Sequence, residues 1–364
     1  MKTGTINLPL HGGKAPAWLF NRMRNLSREI LMLMVSEYGA VEVLERISDP
    51  LWFQALGCVL GFDWHSSGVT TTVCGALKEA TKGLEKDLGL YIAGGKGGTS
   101  RKTPSEIEKA GEELGTDFSN LVYSSKMAAK VDSTALQDGY QLYHHCFFFT
   151  KDGKKWAVVQ QGMNEDNHMA RRYHWLSSKL TDLVIEPHSA ICCDRVAAIL
   201  NLVDKDSEDA RRTISGLSCE SPEKVLRDLK KIKDYGEKHY ILPSRHFVTT
   251  ADIDTNRFQK ILTSTYDQRP QNFEKLLSMK GVGPKTIRAL ALISELIYGV
   301  KYSIKDPVRF SFTHGGKDGI PYPVDRENYD KSIEILHRAV RDSKIERTEK
   351  IKAIKRLSVF YNTK

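Results

Sequence analysis

Long hydrophobic runs are missing from this 364-residue sequence. No stretch approaches the roughly 18 consecutive apolar residues that a membrane-spanning helix needs. The first residues, MKTGTINLPLHGGKAPAW, have Gly and His where a secretory signal would have its apolar segment. We therefore expect a soluble, cytoplasmic protein without a membrane partner.

Cysteine is also scarce, and its spacing excludes a disulfide-rich secreted domain. The chain has six cysteines and no C-x-x-C pair. They are Cys58, Cys74, Cys146, Cys192, Cys193 and Cys219. We expect them to be buried thiols in a reducing compartment. The spacing does not predict a zinc site, and a mixed Cys/His site stays open as an alternative.

Acidic residues are outnumbered, since 45 Asp and Glu face 54 Lys and Arg and leave a net charge of +9. Residues 331–364 hold ten of the basic residues and only four acidic ones. This tail therefore carries six of the nine excess positive charges. A basic concentration of this kind favours a polyanionic partner.

Apolar residues are spread along the whole chain, which excludes overall disorder and predicts an α+β fold that is mostly helical. A small antiparallel β element is expected in the N-terminal half, from GYQLYHHCFFFT and WAVVQQGM joined by an Asp-Gly turn. We expect a helix from about 166 to 180 after it. The C-terminal half is predicted to be all-α. The expected domains are a mixed α/β domain (1–195), a helical connector (196–250) and a nucleic-acid-binding domain with basic terminal helices (251–364).

The most specific local motif is FEKLLSMKGVGPKTIRALALISELIYG at 273–299. Gly281 and Gly283 allow a tight turn that exposes backbone N–H groups at the start of the second helix. Pro284 suits the first helical position, and Lys285 adds a charge for a phosphate oxygen. The segment resembles the helix-hairpin-helix modules of DNA repair proteins. The resemblance implies DNA backbone binding through Gly281, Val282, Gly283, Lys285 and Thr286.

A catalytic use of this motif is a further hypothesis. Base-excision glycosylases with similar modules place a Lys after the hairpin glycines and an Asp about twenty residues later. Lys285 occupies the first of these positions, and Asp306 follows at the matching distance. The resemblance implies that Lys285 forms a Schiff base with the sugar and that Asp306 stabilises the cationic transition state. Asp306-Pro307 departs from the usual pattern of these enzymes, so phosphate binding and helix capping are the alternatives.

Polar residues of catalytic type concentrate in the N-terminal half. Because successive residues of a strand point to opposite faces, one face of the β element is expected to present a His and a Gln near Asp132 and Asp138. Carboxylates with His can hold a divalent ion, Mg²⁺ or Mn²⁺, and activate water for phosphodiester cleavage. The candidate catalytic residues are Asp63, His65, Asp132, Asp138, His145 and Gln161. Further nucleic-acid contacts are expected from Arg171, Arg172 and Lys317.

The whole chain resembles an uncharacterised prokaryotic family, common in archaea, known as domain of unknown function 763. The stretches that carry the resemblance are LPLHGGKAPAWL, GFDWHSSGVTT, QDGYQLYHH, VVQQGMN, ARRYHW and RFSFTHGGKDGIPYPVD. They run from residue 8 to residue 325. The resemblance implies a prokaryotic cytoplasmic protein with a C-terminal hairpin module, and it assigns no reaction.

Three functions are compatible with these features. The favoured one is a DNA-processing enzyme of repair type that cleaves a DNA strand, because a pure binding protein has little use for so many His, Asp and Gln residues in one half. The alternatives are a base-excision glycosylase and AP lyase using Lys285 and Asp306, and a non-catalytic DNA-binding accessory protein. RNA stays an alternative substrate, since a hairpin module recognises phosphate geometry and aromatic strands can stack on single-stranded bases.

Overall fold

The computed structural model describes residues 15–62, 67–193, 197–235, 254–308 and 326–362. Its strands are β1 (Leu90–Lys96), β2 (Leu136–Gln137), β3 (Gln141–Thr150), β4 (Trp156–Asn164), β5 (Met169–Leu176), β6 (His188–Cys192) and β7 (Leu200–Asn201). An antiparallel sheet has the strand order β1-β3-β4-β5-β6, and β2 pairs separately with β7. The sheet is the central layer on which the helices pack.

Helices surround this sheet on both faces. In chain order they are α1 (Ala17–Ser48), α2 (Pro50–Leu60), α3 (Gly68–Thr81), α4 (Glu85–Leu88), α5 (Thr103–Leu114), α6 (Ser119–Lys130), α7 (Glu208–Ser218), α8 (Pro222–Tyr235), α9 (Thr255–Gln268), α10 (Phe273–Ser278), α11 (Pro284–Leu296), α12 (Arg326–Asp342) and α13 (Arg347–Asn362). Within the described ranges, no helix is both long and apolar enough to span a membrane.

Two hydrophobic clusters lie on opposite faces of the sheet, because alternate strand residues point to opposite sides. One face, which we call face A, presents Phe147, Val158 and Trp175 to a cluster that also contains residues of α5 to α11. The other, face B, presents Phe148 and Val159 to a cluster with residues of α1, α2, α3, α12 and α13. The sheet thus separates two layers of helices.

The predicted α+β class and the hairpin of β3 and β4 are confirmed. The helix expected from about 166 to 180 is wrong, because Met169–Leu176 forms strand β5 between β4 and β6. Each face of β5 mixes polar and apolar residues: Arg171 lies on the same face as Tyr173 and Trp175, and Arg172 and His174 on the same face as Leu176, so no polar/apolar period of two is visible. The C-terminal half, expected to be all-α, also contains the short strand β7.

The basic tail packs against the N-terminal helices rather than continuing the layer of α9 to α11. Leu336 and Val340 of α12 and Ala353 of α13 belong to the face B cluster. Arg338 contacts Glu37 of α1 at 3.4 Å. The face A cluster is a single set of buried residues that includes both Tyr91 of β1 and residues of α11. The two clusters therefore cross the boundaries expected at 195 and 250, and the division into three domains stays a prediction.

Gly94 in β1 provides a test of the packing between β1 and β3. Its φ is +92°, and a Cβ atom there would overlap the carbonyl oxygen of His145 and the hydroxyl of Thr103. We expect Gly94→Ala to lower the free energy of unfolding by about 2–4 kcal/mol, measured by urea denaturation. Gly98→Ala is the control, because nothing lies within 4 Å of its added methyl group. Equal effects of the two substitutions would contradict the described register.

Candidate active site

Asp132 is a fully buried carboxylate at the centre of a polar network on face A. It lies in a single π-helical turn, Val131–Ala135, that follows α6. Its Oδ2 accepts hydrogen bonds from Gln160 Nε2 at 2.6 Å and Trp175 Nε1 at 3.0 Å, and its Oδ1 lies 2.5 Å from His188 Nε2. Strands β4, β5 and β6 each supply one partner, so the sheet register fixes this carboxylate. Isolated π turns are frequent at functional sites.

The network extends from Asp132 to a second histidine and a serine. Gln160 Oε1 lies 2.8 Å from His145 Nδ1, and His145 Nε2 lies 2.8 Å from the hydroxyl of Ser125 on α6. Burial lowers the pKa of His145 to about 4, and the hydrogen bond that its Nδ1–H donates to Gln160 opposes this only in part. The imidazole is therefore neutral at physiological pH. The result is a continuous chain of polar side chains from Ser125 to His188.

His188, one end of this network, also lines a cavity of about 210 Å³. Glu186, Asp204, Lys305 and Asp306 are among the other lining residues. Glu186 has a φ of +45°, a left-handed conformation that is costly outside glycine and that concentrates at functional sites. A register shift between β5 and β6 lies directly beside His188, and bulges of this kind often adjoin active sites.

The pairing of His188 with Asp132 gives its imidazole a defined chemical role. When Nε2–H donates to the carboxylate, Nδ1 is left as an acceptor. Among the described residues, Nδ1 has no hydrogen-bond partner. A carboxylate-oriented imidazole at a cavity is suited to take a proton from water or from a substrate hydroxyl.

A second buried cluster joins β5 to the segment after α11. Arg171 donates to Asp138 Oδ2 at 3.0 Å and to both oxygens of Asp306, at 3.1 and 2.8 Å. Tyr173 also donates to Asp138 at 2.7 Å. Burial raises the pKa of the Asp138 carboxyl, although Arg171 and Tyr173 oppose the rise. Arg171, expected to contact nucleic acid, is instead buried between two carboxylates, so it does not enter the functional proposal.

Gln161 and Arg172 lie on face B, away from Asp132. The register pairs His145 with Gln160 and His144 with Gln161, so Gln161 was assigned to the wrong face by one residue. Its amide donates to the carbonyl oxygen of Ser67 at 2.9 Å. Arg172 is fully buried, and its two terminal nitrogens donate to Gln54 Oε1 at 3.1 Å. Like Arg171, it is not placed to reach a docked duplex.

Face B also carries three residues that could hold a metal ion. The ligand atoms of Cys74 on α3 and of His144 and Cys146 on β3 all lie within 4.8 Å of one another. Burial lowers the pKa of His144 to about 3, with further contributions from His145 and Lys96. Burial, followed by the hydrogen bond with Cys146, raises the pKa of the Cys74 thiol well above its usual range. The Mg²⁺ or Mn²⁺ ion expected with the carboxylates of face A stays a prediction.

The segment from α10 to α11 forms two helices around a tight turn. Gly281 has a φ of +92°, and Gly283 is the extended residue that precedes Pro284 at the start of α11. Val282 is buried in the face A cluster, and Thr286 is buried as well. Lys285 is exposed in the first turn of α11. A phosphate at this turn would therefore meet backbone groups and Lys285 rather than the side chains of Val282 or Thr286.

The structure thus divides the predicted site residues among several places. Asp132, Asp138, His145 and Asp306 all lie on or against face A. Gln161 lies on face B, and Lys285 lies on α11. Three further candidates, Asp63, His65 and Lys317, fall outside the described residues.

Sequence reasoning left three residues that complete the network, His188, Gln160 and Ser125, out of the candidate set. His188 and Glu186 belong to the polar segment EPH at 186–188. Strand β6, which begins at His188, was not recognised because its five residues, HSAIC, carry little β signal. Gln160 follows from the strand alternation once His145 is assigned to face A. Ser125 lies in a helical segment whose spacing gives no sign that its hydroxyl meets a histidine.

The fold and site define an α+β protein with an antiparallel sheet between helical layers and a buried Asp–His pair at a polar cavity. Residues 4–324 match the family described as "Protein of unknown function (DUF763)", and the chain belongs to this family. This confirms the family resemblance of the sequence motifs. No curated protein and no solved structure matches the chain.

Removal of Arg171 tests the buried charge cluster. We expect Arg171→Leu to lower the free energy of unfolding by about 3–5 kcal/mol, because Asp138 and Asp306 lose the cation buried between them. The control is Arg212→Leu, whose ion pair with Asp209 is exposed (76% and 71% for the two side chains) and should contribute nothing measurable. Chemical denaturation measures both. A small loss for Arg171→Leu would show that the cluster is not a stabilising tether.

Proposed function

We propose that this protein is a DNA-processing enzyme that hydrolyses one DNA strand, with the α10–α11 turn as a helix-hairpin-helix grip and His188 as the general base. The observation that carries the proposal is that the hairpin is bonded directly to both ends of the segment that contains Asp132. The turn and the carboxylate that orients the imidazole are thereby linked through one short segment of the chain.

The hairpin has the features that bind a phosphate without reading bases. Gly281 makes the turn and Pro284 begins α11, and the N-terminus of a helix is favourable for a phosphate. Lys280 and Lys285 are exposed on either side of Gly281–Gly283. Phosphate contacts of this kind position a duplex but carry no sequence information. DNA is therefore the proposed partner, and RNA stays the alternative.

The bonds between the hairpin and the Asp132 segment are specific. Lys130 Nζ donates to the carbonyl oxygen of Val282. Gln137 Nε2 donates to the carbonyl oxygen of Pro284 at 3.0 Å, and its Oε1 accepts from Arg288 Nε at 3.0 Å. Lys130 and Gln137 flank the π turn on which Asp132 lies. Movement of the hairpin would therefore displace Asp132.

The proposed reaction follows from the geometry of His188. Asp132 holds Nε2, and Nδ1 takes a proton from a water molecule as its oxygen attacks phosphorus. The new P–O bond forms while the bond to the leaving sugar oxygen breaks, and that oxygen takes a proton from solvent. The cavity of about 210 Å³ is smaller than the roughly 300–1,000 Å³ of sites that enclose small molecules, which supports a site for one group of a longer chain. Mg²⁺ or Mn²⁺ remains the proposed cofactor.

The glycosylase alternative has less support. Both oxygens of Asp306 accept hydrogen bonds from Arg171, and Oδ2 also accepts from the amide of Ala197 at 3.1 Å. A carboxylate already held in this way is poorly available to stabilise a separate cationic transition state. Borohydride trapping on DNA with an abasic site discriminates the two, because only the glycosylase predicts an adduct that Lys285→Ala abolishes.

Phosphate binding at the α10–α11 turn predicts a specific change in how the affinity for duplex DNA depends on salt. In fluorescence titrations with a duplex at increasing salt, we expect replacement of Lys280 and Lys285 by Ala to make the slope of log K against log[salt] less steep by about 1.8, since each phosphate contact contributes about 0.9. Replacement of Lys82 and Lys109, two exposed lysines outside the hairpin and the basic tail, is the matched control and should leave the slope unchanged. Equal slopes for the two double variants would contradict the grip.

The assignment of His188 as the general base predicts that its replacement greatly slows DNA cleavage but leaves DNA binding intact. With Mg²⁺ or Mn²⁺ present, we expect His188→Gln and Asp132→Asn to slow the cleavage of nicked, flapped or mismatched duplexes by about 10²–10⁴-fold. Gel electrophoresis of labelled strands measures the rate, and thermal melting checks the fold. His337→Gln is the control, because His337 is exposed on α12. Wild-type protein that binds these duplexes but cleaves none would support the accessory-protein alternative instead.

A further inference from the structure

Face B contains a group of metal-ligand side chains that the proposed hydrolysis does not use. His144 and Cys146 are two residues apart on β3, so both point to face B, and Cys74 meets them from α3. All three are buried, and their ligand atoms lie within 4.8 Å of one another. In the part of the chain that the structure describes, this is the one such group of three or more His, Cys, Asp or Glu residues.

The imidazole of His144 gives an independent reason to expect a ligand. Neither Nδ1 nor Nε2 has a hydrogen-bond partner among the described residues, although the side chain is 99% buried. Buried polar atoms in folded proteins are nearly always paired, and an unpaired one often marks an ion. His145, its neighbour on face A, has both ring nitrogens paired. Among the described residues, face A thus supplies hydrogen-bond partners for both nitrogens of His145, whereas face B supplies none for His144.

We propose that Cys74, His144 and Cys146 bind one Zn²⁺ ion between α3 and β3, through two thiolates and one imidazole nitrogen. Zinc bonds of about 2.3 Å to sulfur and 2.0–2.1 Å to nitrogen place tetrahedral ligand atoms about 3.4–3.8 Å apart. Atoms already within 4.8 Å reach that arrangement with shifts of about 1 Å or less. The fourth position falls to a ligand from outside these three side chains.

The chemistry of the donors selects the metal. Sulfur and imidazole nitrogen suit zinc, whereas Mg²⁺ and Ca²⁺ require oxygen ligands that these three residues lack. On binding, the two thiol protons leave to solvent, and the two thiolates cancel the charge of the ion. A neutral unit is compatible with the buried guanidinium of Arg172 on the same face, where a bare divalent ion would be repelled.

Metal analysis of the purified full-length protein tests the site. Protein prepared under reducing conditions without chelators is expected to contain about one zinc per chain by inductively coupled plasma mass spectrometry. Cys74→Ser and Cys146→Ser should each lose it. Cys58→Ser and Cys219→Ser are the controls, because these two thiols are only half-buried and lie outside the cluster, and both should keep the zinc.

A second measurement keeps the test decisive if the cluster variants do not fold. Wild-type protein freed of metal by a chelator and titrated with Co²⁺ should develop thiolate-to-cobalt charge-transfer bands that saturate at one equivalent. Native mass spectrometry should show the gain of one cobalt and the loss of two protons. No uptake, uptake without a thiolate band, or a Cys74–Cys146 disulfide in the reduced preparation would overturn the zinc assignment. None of these readouts depends on DNA cleavage, so failure of the two proposals can be told apart.

Discussion

The buried carboxylate of Asp132 is the interaction on which the arrangement of face A depends. A buried carboxyl group is tolerated only when hydrogen bonds replace its hydration, and here Gln160, Trp175 and His188 do so from three adjacent strands. Loss of the strand register would leave the carboxylate unpaired. The same residue lies on the π turn whose flanking residues bind the α10–α11 hairpin, so one electrostatic requirement couples sheet, cavity and hairpin.

Because alternate strand residues point to opposite sides, the sheet places carboxylate and imidazole groups on face A and thiol and imidazole groups on face B. His145 and Gln160 face the carboxylates of face A, whereas His144 and Gln161 face the thiols and Arg172 of face B. Neighbouring residues with identical side chains therefore have different surroundings. Oxygen and imidazole groups open to a cavity on one side, which fits proton transfer. Sulfur and imidazole groups are enclosed on the other, which fits the proposed zinc ion.

Sequence reasoning predicted those parts of the fold that local signals determine. The Asp-Gly turn together with aromatic runs defines the hairpin of β3 and β4. Strand β5 was missed because buried Arg171 and Arg172 resemble an exposed helical face when their partners are unknown. Two of those partners, Asp306 and Gln54, are more than one hundred residues away along the chain. A single sequence does not show which distant polar groups pair with one another. That pairing determines both the composition of the candidate site and the identity of residues 169–176 as a strand rather than a helix.

The central claim is that the hairpin delivers a phosphate to His188. A structure of the protein with a duplex that carries hydrolysis-resistant phosphorothioate linkages measures this directly, as the distance from His188 Nδ1 to the nearest phosphate. The account predicts one phosphate within reach of Nδ1, directly or through one water molecule, while another phosphate of the same duplex contacts the backbone at Gly281–Gly283. A duplex bound at the hairpin with every phosphate far from the cavity would contradict it.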